Sequence, residues 1–470
     1  MDEPQPVEPT LAYNVIARME WINDNVLWGP PFLILLVGTG LYLTFILGGL
    51  QFVRLPLALK LIFRKDDAAG DISHFAALTT ALAATVGNGN IVGVAAAIIM
   101  GGPGAVFWMW VTGIVGMATK FAEAILAVKY REQGPFGMRG GPMYYITKGA
   151  GLPWLGWLFA LFAAMAAFGI GNMFQAHAVA GNFAEAFNVP PALTGLSMMI
   201  LTGIVILGGI RAIGRVTSVL VPFMILIYVI SALIVLALSW RAIPGAFAMI
   251  FQYAFTPHAA LGGTFGALLQ RTISMGVARG VFSNESGLGS APIAAAAART
   301  KDPTTQALVS MTQTFIDTIV VCTMTALVIL IMTGDAFLGH DRSTLTGLAF
   351  SRQLGGFGAI MVAIASGLFA YSTILGWAYY GERSIEYILG PRAVFPYRIV
   401  YTLVVFFGAI LTLDLILLVS DMMNAMMAIP NLIGLLLLAH VVRRESARYF
   451  DDLRRPPGPP VTAPTAKSSQ

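Results

Sequence analysis

The stretch Ala81-Leu82-Ala83-Ala84-Thr85-Val86-Gly87-Asn88-Gly89-Asn90-Ile91-Val92-Gly93 interrupts an apolar run of membrane-spanning length at its middle. Glycine and asparagine alternate over positions 87–90. Each glycine costs a helix interior about 1 kcal/mol relative to alanine, and a break there leaves main-chain N–H and C=O groups without partners. Hydrocarbon tolerates such groups only where they are buried in protein or line a wet cavity. The stretch therefore predicts a polar site near the bilayer midplane, built on a discontinuous helix. A glycine seam for close helix packing is the plainer reading of the same residues.

Composition agrees with a membrane setting. Of 470 residues, 57% are hydrophobic and only 11% charged, against roughly 25% charged in an average soluble domain. The chain reads as an all-α polytopic membrane protein. Its net charge of +5 does not call for nucleic acid, because the basic residues fall between apolar segments, where they act as orientation signals. Cys322 is the one cysteine, so neither a disulfide framework nor a thiolate metal centre is expected. The opening MDEPQPVEPT has no positive region followed by an apolar core, so no cleavable signal peptide is expected.

About 20 apolar residues span the hydrocarbon core, and eleven stretches qualify: 30–53, 74–100, 103–130, 153–180, 192–209, 215–238, 262–298, 306–333, 356–380, 397–418 and 422–440. Residues 1–29, with aromatics among polar residues from 11 onward, suit an interfacial segment that does not span. Alternate connecting regions carry 21 and 4 of the 28 Lys and Arg residues, and Lys120, Arg271 and Arg279 lie inside segments. This asymmetry places the N-terminus outside and the C-terminus in the cytoplasm, in a cell inner membrane or plasma membrane. Residues 441–470, ending in a proline-rich run, read as a disordered cytoplasmic tail.

Two segments differ from the rest. One is 74–100; the other is 262–298, about 55 Å long as a single straight helix, with glycines, a proline and charges inside it. It reads as two half-helices with a non-helical join. The two broken segments are five apart in order, so the runs 74–238 and 262–440 cross in opposite senses, as two inverted five-helix repeats, and 30–53 is an extra helix. Paired interruptions of this kind point to the binding site of a secondary transporter.

Such a site replaces the hydration of a small charged solute and a cation with fixed dipoles. Asn88, Gly89 and Asn90 open the outer half of the first broken helix, where amides can receive a carboxylate and the Asn90 side-chain oxygen a cation. The carbonyls of Thr85 and Val86 are freed by the same break, and capping of the new helix start is an alternative task for Asn88 and Asn90. Ser372 and Thr373 offer paired hydroxyls in mid-segment, with back-bonding to the preceding turn as the alternative. Trp377, one turn on, can wall a substrate side chain or anchor at the interface. Phe168, Asn172 and Gln175 share a helical face at i, i+4 and i+7, for substrate or for interhelical hydrogen bonds. Asp317, charged in mid-span, calls for a cation or for a partner such as Arg271 or Arg279. Lys120 and Glu123, at i and i+3, can pair with each other. NES at 284–286 matches a glycosylation acceptor but falls within a span.

The blocks GNGNIVGVAAAIIMGGPGAVFWMWVTGIVGMATKFAEAILAVKYRE, GGPMYYI, FGIGNMFQA, ARGVFSNESGLGSAPIAAAA and FIDTIVVCTMTALVIL resemble those of the alanine or glycine:cation symporters, also called sodium:alanine symporters, over most of residues 30 to 440. The resemblance implies the inverted-repeat fold of the leucine-transporter type and sodium-driven uptake of small neutral amino acids, with Na+ as coupling ion and no cofactor. Val86-Gly87-Asn88-Gly89-Asn90 resembles the V-G-x-G-N of that fold. This implies that the Asn88 and Gly89 amides hold the substrate carboxylate and that Asn90 ligates sodium. Thr272, Ser274 and Gly276 more weakly resemble the T-x-S-x-G of the second broken helix. Ser372 and Thr373 fall where the fold places hydroxyl ligands of a second sodium, and Thr373 and Trp377 resemble substrate contacts. The chain departs from the family in having Asn88 in place of Thr or Ser, and His177 in place of Asn.

Proton coupling to a related small amino acid is the runner-up. A channel would need a continuous pore and no coupling. An intramembrane hydrolase would need a nucleophile and base, but the five histidines are scattered and no HExxH occurs.

Overall fold

The computed structural model describes residues 11–256, 264–340, 342, 344–411 and 414–454. Residues 1–10 of the expected interfacial segment and 455–470 of the expected tail lie outside them. The chain opens with α1 (Leu11–Ile22), a π-turn (Asn23–Leu27) and α2 (Pro30–Ile46), followed by the short α3 (Leu50–Val53) and α4 (Leu55–Leu61). The helix expected to run through 30–53 thus stops at Ile46, where Gly48 and Gly49 adopt positive φ and the chain turns.

The first broken helix is α5 (His74–Thr85), a π-turn (Gly89–Gly93) and α6 (Val94–Gly101), bent by 54° at the join. Then come α7 (Ala105–Lys129), a small hairpin of β1 (Glu132–Gly134) and β2 (Gly137–Arg139), and α8 (Pro142–Gly149). Next, α9 (Pro153–Phe168) passes through a π-turn (Gly169–Met173) into α10 (Phe174–Phe187), followed by α11 (Pro191–Ile206), α12 (Gly209–Leu238) and α13 (Ile243–Phe255).

The second half begins with α14 (Phe265–Asn284), a non-helical segment, and α15 (Ala291–Ala295). It continues with α16 (Pro303–Thr314), a π-helical stretch (Phe315–Cys322) and α17 (Thr323–Thr333), then α18 (Leu345–Leu354), α19 (Gly356–Leu389), α20 (Val394–Ile410), α21 (Asp414–Leu437) and α22 (Ala439–Arg454). Disorder expected from 441 onward is corrected for 441–454, which continue α22. Its apolar face buries Val441 and Val442, and Lys129 reaches across 2.6 Å to Glu445.

Among the described residues, eight helices are long and apolar enough to span a membrane, and the bent α5–α6 pair makes a ninth. Of the other two expected spans, α11 is a shorter apolar helix of 16 residues. The remaining one, α14, carries Gln270, Arg271 and Arg279. The broken helices lie inside the bundle: α14 packs on α6 and α7, α12 and α19 on α5, and α9 on α19 and α21.

Polar clamps tie the connecting segments to the helix ends. Arg131 donates to the carbonyls of Ala69, Ala296, Ala298 and Thr300, tying the hairpin to the end of α15. At the end of α19, Glu382 takes two hydrogen bonds from Arg398, at 2.6 and 3.0 Å, and Arg383 pairs with Glu386 at 2.6 Å.

Candidate functional site: two broken helices joined through Asp317

The first break forms where the sequence places it. Thr85 ends α5, Val86 turns extended at φ −73°, ψ 91°, and the chain re-enters a helix through the π-turn. The Asn90 side chain closes the gap, its Oδ1 accepting the Gly87 N–H at 2.9 Å. The bond reaches back across the gap, so the oxygen offered to a cation already accepts one hydrogen bond. Its Nδ2 points the other way, to Asp317 Oδ1 at 2.8 Å and Ser283 Oγ at 3.0 Å.

The second break lies later than the T-x-S-x-G resemblance implied. Helix α14 stays regular through Thr272, Ser274 and Gly276, and ends at Asn284. Glu285 then takes φ +55°, and Gly287 and Gly289 take φ +86°, a left-handed region sparsely used by non-glycine residues. Three earlier assignments are therefore corrected. Thr272 donates to the Gly101 carbonyl at 2.7 Å, satisfying an orphan acceptor at the end of α6. Gly276 lets the Ala105 carbonyl and Trp108 come close, and Ser274 lines outer crevices beside Arg271. None of the three reaches the break.

The two breaks meet at Ser283. A Cβ on Gly89 would sit 3.4 Å from Ser283 Cα, and Ser283 Oγ donates to Asp317 Oδ2 at 2.8 Å. Thr318 Oγ1 donates to the same oxygen at 2.9 Å. Asp317 is fully buried, sits in the π-helical stretch, and pairs with neither Arg271 nor Arg279. Arg279 instead faces an outer cavity of about 280 Å³ that it shares with Asn88, Phe174, Phe282 and Asp421.

Other elements arrive at the same depth. Asn88 accepts from Ser366 Oγ of α19 at 2.7 Å and donates to Gln175 Oε1 of α10 at 3.3 Å. Phe168 and Asn172 are turned elsewhere. Phe168 meets Tyr397 edge-to-face and Tyr401 at a tilt, with ring centroids 5.4 and 5.5 Å apart, and Asn172 donates to the Tyr401 carbonyl at 2.8 Å. The π-turn at 169–173 accounts for this. Its wider turn takes 168, 172 and 175 off the one face that a regular helix would give them.

Ser372 Oγ donates to the Ala83 carbonyl at 3.1 Å and to Phe369 O at 2.8 Å. Thr373 bonds back to Phe369 O at 3.0 Å. A Cβ on Gly87 would lie 2.6 Å from Thr373 Oγ1, so only glycine admits that hydroxyl against the break. Trp377 is buried against Gly171, whose added Cβ would come within 2.4 Å of the Trp377 Cβ. Its indole N–H donates to Glu285 Oε1 at 2.9 Å, so it is a wall of the interior and not an interfacial anchor. Thr85 Oγ1 receives Gln313 Nε2 at 3.1 Å.

Sequence reasoning missed Ser283, Asn284, Glu285, Gln313, Thr318 and Ser366. For 283–285 a signal existed: a carboxylate followed by two glycines within an apolar run. Lys120 and Glu123 are buried side by side on α7, but Glu123 takes its hydrogen bond from Asn431 Nδ2 at 2.7 Å, and Asn431 also donates to the Gly287 carbonyl at 2.9 Å. Glu123 therefore supports the second break.

Helices broken in mid-bundle, touching each other and a buried carboxylate, define a secondary transporter for a small solute. The fold is of the leucine-transporter type. The solved structure of MhsT in complex with L-phenylalanine matches at TM-score 0.54 and 16% identity, covering 81% of this chain and 99% of that one.

The chain belongs to the sodium:alanine symporter family, whose model matches residues 13–461. It is 52% identical to the sodium/alanine symporter AgcS of Methanococcus maripaludis, over 94% of this chain and 98% of that protein. It is 35% identical to GlnT of Bacillus subtilis, named a "Probable sodium/glutamine symporter", over 91% of this chain and 89% of that one. The protein is thus an amino-acid:cation symporter by family, and not an enzyme.

Proposed function

We propose that the protein uses a sodium gradient to import a small neutral amino acid, alanine or glycine, by alternating access. The observation that carries this reading is the contact of the two breaks through Asn90, Ser283 and Asp317, next to the Asn88, Gln175 and Ser366 cluster. On this reading the amides of Asn88 and Gly89 hold the substrate carboxylate, Gln175 and Thr373 supply polar contacts, and Trp377 limits side-chain size. Asn90 and Asp317 line one cation site; Ser372, Thr373 and the carbonyls of Thr85 and Val86 line another. Binding there exchanges hydrogen bonds that these groups make within the protein for contacts to the ligand. Asn88, Gly89 and Asn90 at the first break are themselves neutral, which suits a zwitterion with a small side chain.

The membrane layout follows the same reading: eleven crossings, inverted repeats over 74–238 and 262–440, the N-terminus outside and the C-terminus cytoplasmic. Energetics suffice. One sodium ion moving down 100 mV gains about 2.3 kcal/mol, more than an order of magnitude in accumulation at about 1.4 kcal/mol per decade. Proton coupling is the second reading, favoured by one observation: Asp317 is a fully buried carboxylate in a membrane-spanning segment, a residue type that serves proton relays as well as cation sites.

The test is uptake of labelled alanine and glycine into proteoliposomes, under a sodium gradient, a proton gradient or neither, for the native chain and Asn90→Ala. Sodium-driven accumulation that Asn90→Ala abolishes supports the first reading. A response to protons alone selects the second, and equal uptake under all conditions removes coupling altogether.

A further inference from the structure

A pocket of about 310 Å³ lies far from the transport site, where the chain leaves α2 and meets α22. Along α22, Arg443, Ser446, Phe450 and Arg454 recur at i, i+3, i+7 and i+11, so one helical stripe faces the pocket. Arg54, between α3 and α4, completes it.

Two of the three guanidinium groups are not neutralised. Among the described residues Arg54 and Arg443 have no ion pair. Arg54 is held 4.5 Å over the Phe450 ring, which orients a cation without cancelling its charge. The neighbouring carboxylates are engaged elsewhere: Glu445 with Lys129 at 2.6 Å and with Arg448 at 4.0 Å, Asp451 with Arg454 at 4.0 Å. Guanidinium forks match phosphate oxygens, and the buried Ser446 adds a hydroxyl. Beside it the surface is apolar and bare: Val53 of the lining is 67% exposed, and Phe45 and Phe52, next in sequence to the lining residues Ile46 and Val53, are 85% and 64% exposed. A cationic pocket beside exposed apolar side chains, on the face that carries most of the Lys and Arg residues, matches a phosphate that arrives with acyl chains attached.

We propose that this pocket binds the headgroup phosphate of an anionic phospholipid from the adjoining leaflet, with Arg54 and Arg443 as the phosphate contacts and the Phe45–Phe52–Val53 rim as the seat of its acyl chains. The shared chemistry is a phosphate oxyanion, which a free anion could also supply; the exposed rim selects the lipid.

The experiment is native mass spectrometry of the full chain in detergent with phosphatidylglycerol or phosphatidylcholine. Phosphatidylglycerol is expected to be retained in preference to phosphatidylcholine. Arg54→Ala with Arg443→Ala is expected to weaken it about 30-fold, from about 1 kcal/mol per basic side chain near an anionic surface and 1.4 kcal/mol per decade. Arg443→Ala alone, an exposed site whose loss leaves packing intact, is expected to weaken it about 5-fold, so the reading does not depend on the double variant folding. The off-pocket pair Arg444→Ala with Arg448→Ala is expected to change retention less than 3-fold. Equal losses for the two double variants mean diffuse charge attraction and overturn the proposal. So does displacement of phosphatidylglycerol by millimolar inorganic phosphate, which assigns the pocket to a free anion, or equal retention of the two lipids.

Discussion

The first broken helix is held open by small neutral groups, the second by a carboxylate. At 86–90 the gap is closed by the Asn90 amide, by the Ser372 hydroxyl on the Ala83 carbonyl and by Thr373 against Gly87. At 285–290, Glu285 holds the Trp377 indole at 2.9 Å and the Ser290 hydroxyl at 2.5 Å, and Asn431 ties the Gly287 carbonyl back to Glu123. The first break presents groups a ligand can replace one at a time. The second is braced through a tryptophan and two buried acids, so it resembles a hinge support more than a receptor. Asp317 stands between them, fastened to Asn90 on one side and Ser283 on the other.

The sharpest way to break this contrast is at that shared point. Asp317→Ala removes the carboxylate that accepts from Asn90, Ser283 and Thr318 in a buried site, where each hydrogen bond to a charged group is worth about 1.5–3 kcal/mol. We expect uptake to fall more than 100-fold. Asp317→Asn, which keeps the shape, should fold and raise the sodium concentration for half-maximal uptake at least 10-fold. An Asp317→Asn protein with native sodium dependence would mean that the carboxylate only fastens the breaks together.

The next effect concerns the brace. Glu285→Ala removes the acceptor of two charge-assisted bonds, a loss of roughly 3 kcal/mol, and should lower the Tm by several degrees along with uptake. Glu285→Gln keeps an acceptor for the indole and should recover about half of the Tm loss, without altering sodium affinity. If Glu285→Gln instead shifts sodium affinity as strongly as Asp317→Asn, the second break is also a cation site. Gly171→Ala is a milder probe, since its Cβ must push Trp377 outward. We expect the KM for alanine to rise about 10-fold at unchanged sodium dependence, measured by initial rates.

Why one break is legible to the residue and the other only as a join somewhere within 262–298 follows from the residues that make them. Gly87-Asn88-Gly89-Asn90 stops a helix by local propensity alone, so its position can be read without knowing what surrounds it. The second break begins at Glu285, a residue with no intrinsic preference for positive φ, whose carboxylate is held by Trp377, 92 residues away in sequence. Glycines at 276 and 280 lie earlier in the same run and are equally visible, but they admit α7 and leave the helix intact. Asp317 is legible as a charge in mid-span that calls for a cation or an arginine, but its neutral partners Asn90, Ser283 and Thr318 are not, because two of the three are distant in sequence. The π-turns at 169–173 and 315–322 leave no compositional mark, so Phe168, Asn172 and Gln175 were aligned on a face that a regular helix would have and this one lacks.

The smallest expected effect tests the placement of the second break itself. Thr272→Val removes one hydrogen bond to the Gly101 carbonyl, keeps the side-chain volume nearly unchanged, and leaves the end of α6 with an unsatisfied acceptor. That costs about 1 kcal/mol, a few degrees of Tm at most, and should leave the sodium dependence of uptake as it is, because Thr272 lies three turns before the chain unwinds. Thermal unfolding and a sodium titration on the same preparation separate the two roles. A stable Thr272→Val protein whose sodium affinity drops 10-fold would make Thr272 a ligand after all. The receptor would then extend up α14, and the bracing of 285–290 would be a consequence of cation binding instead of its support.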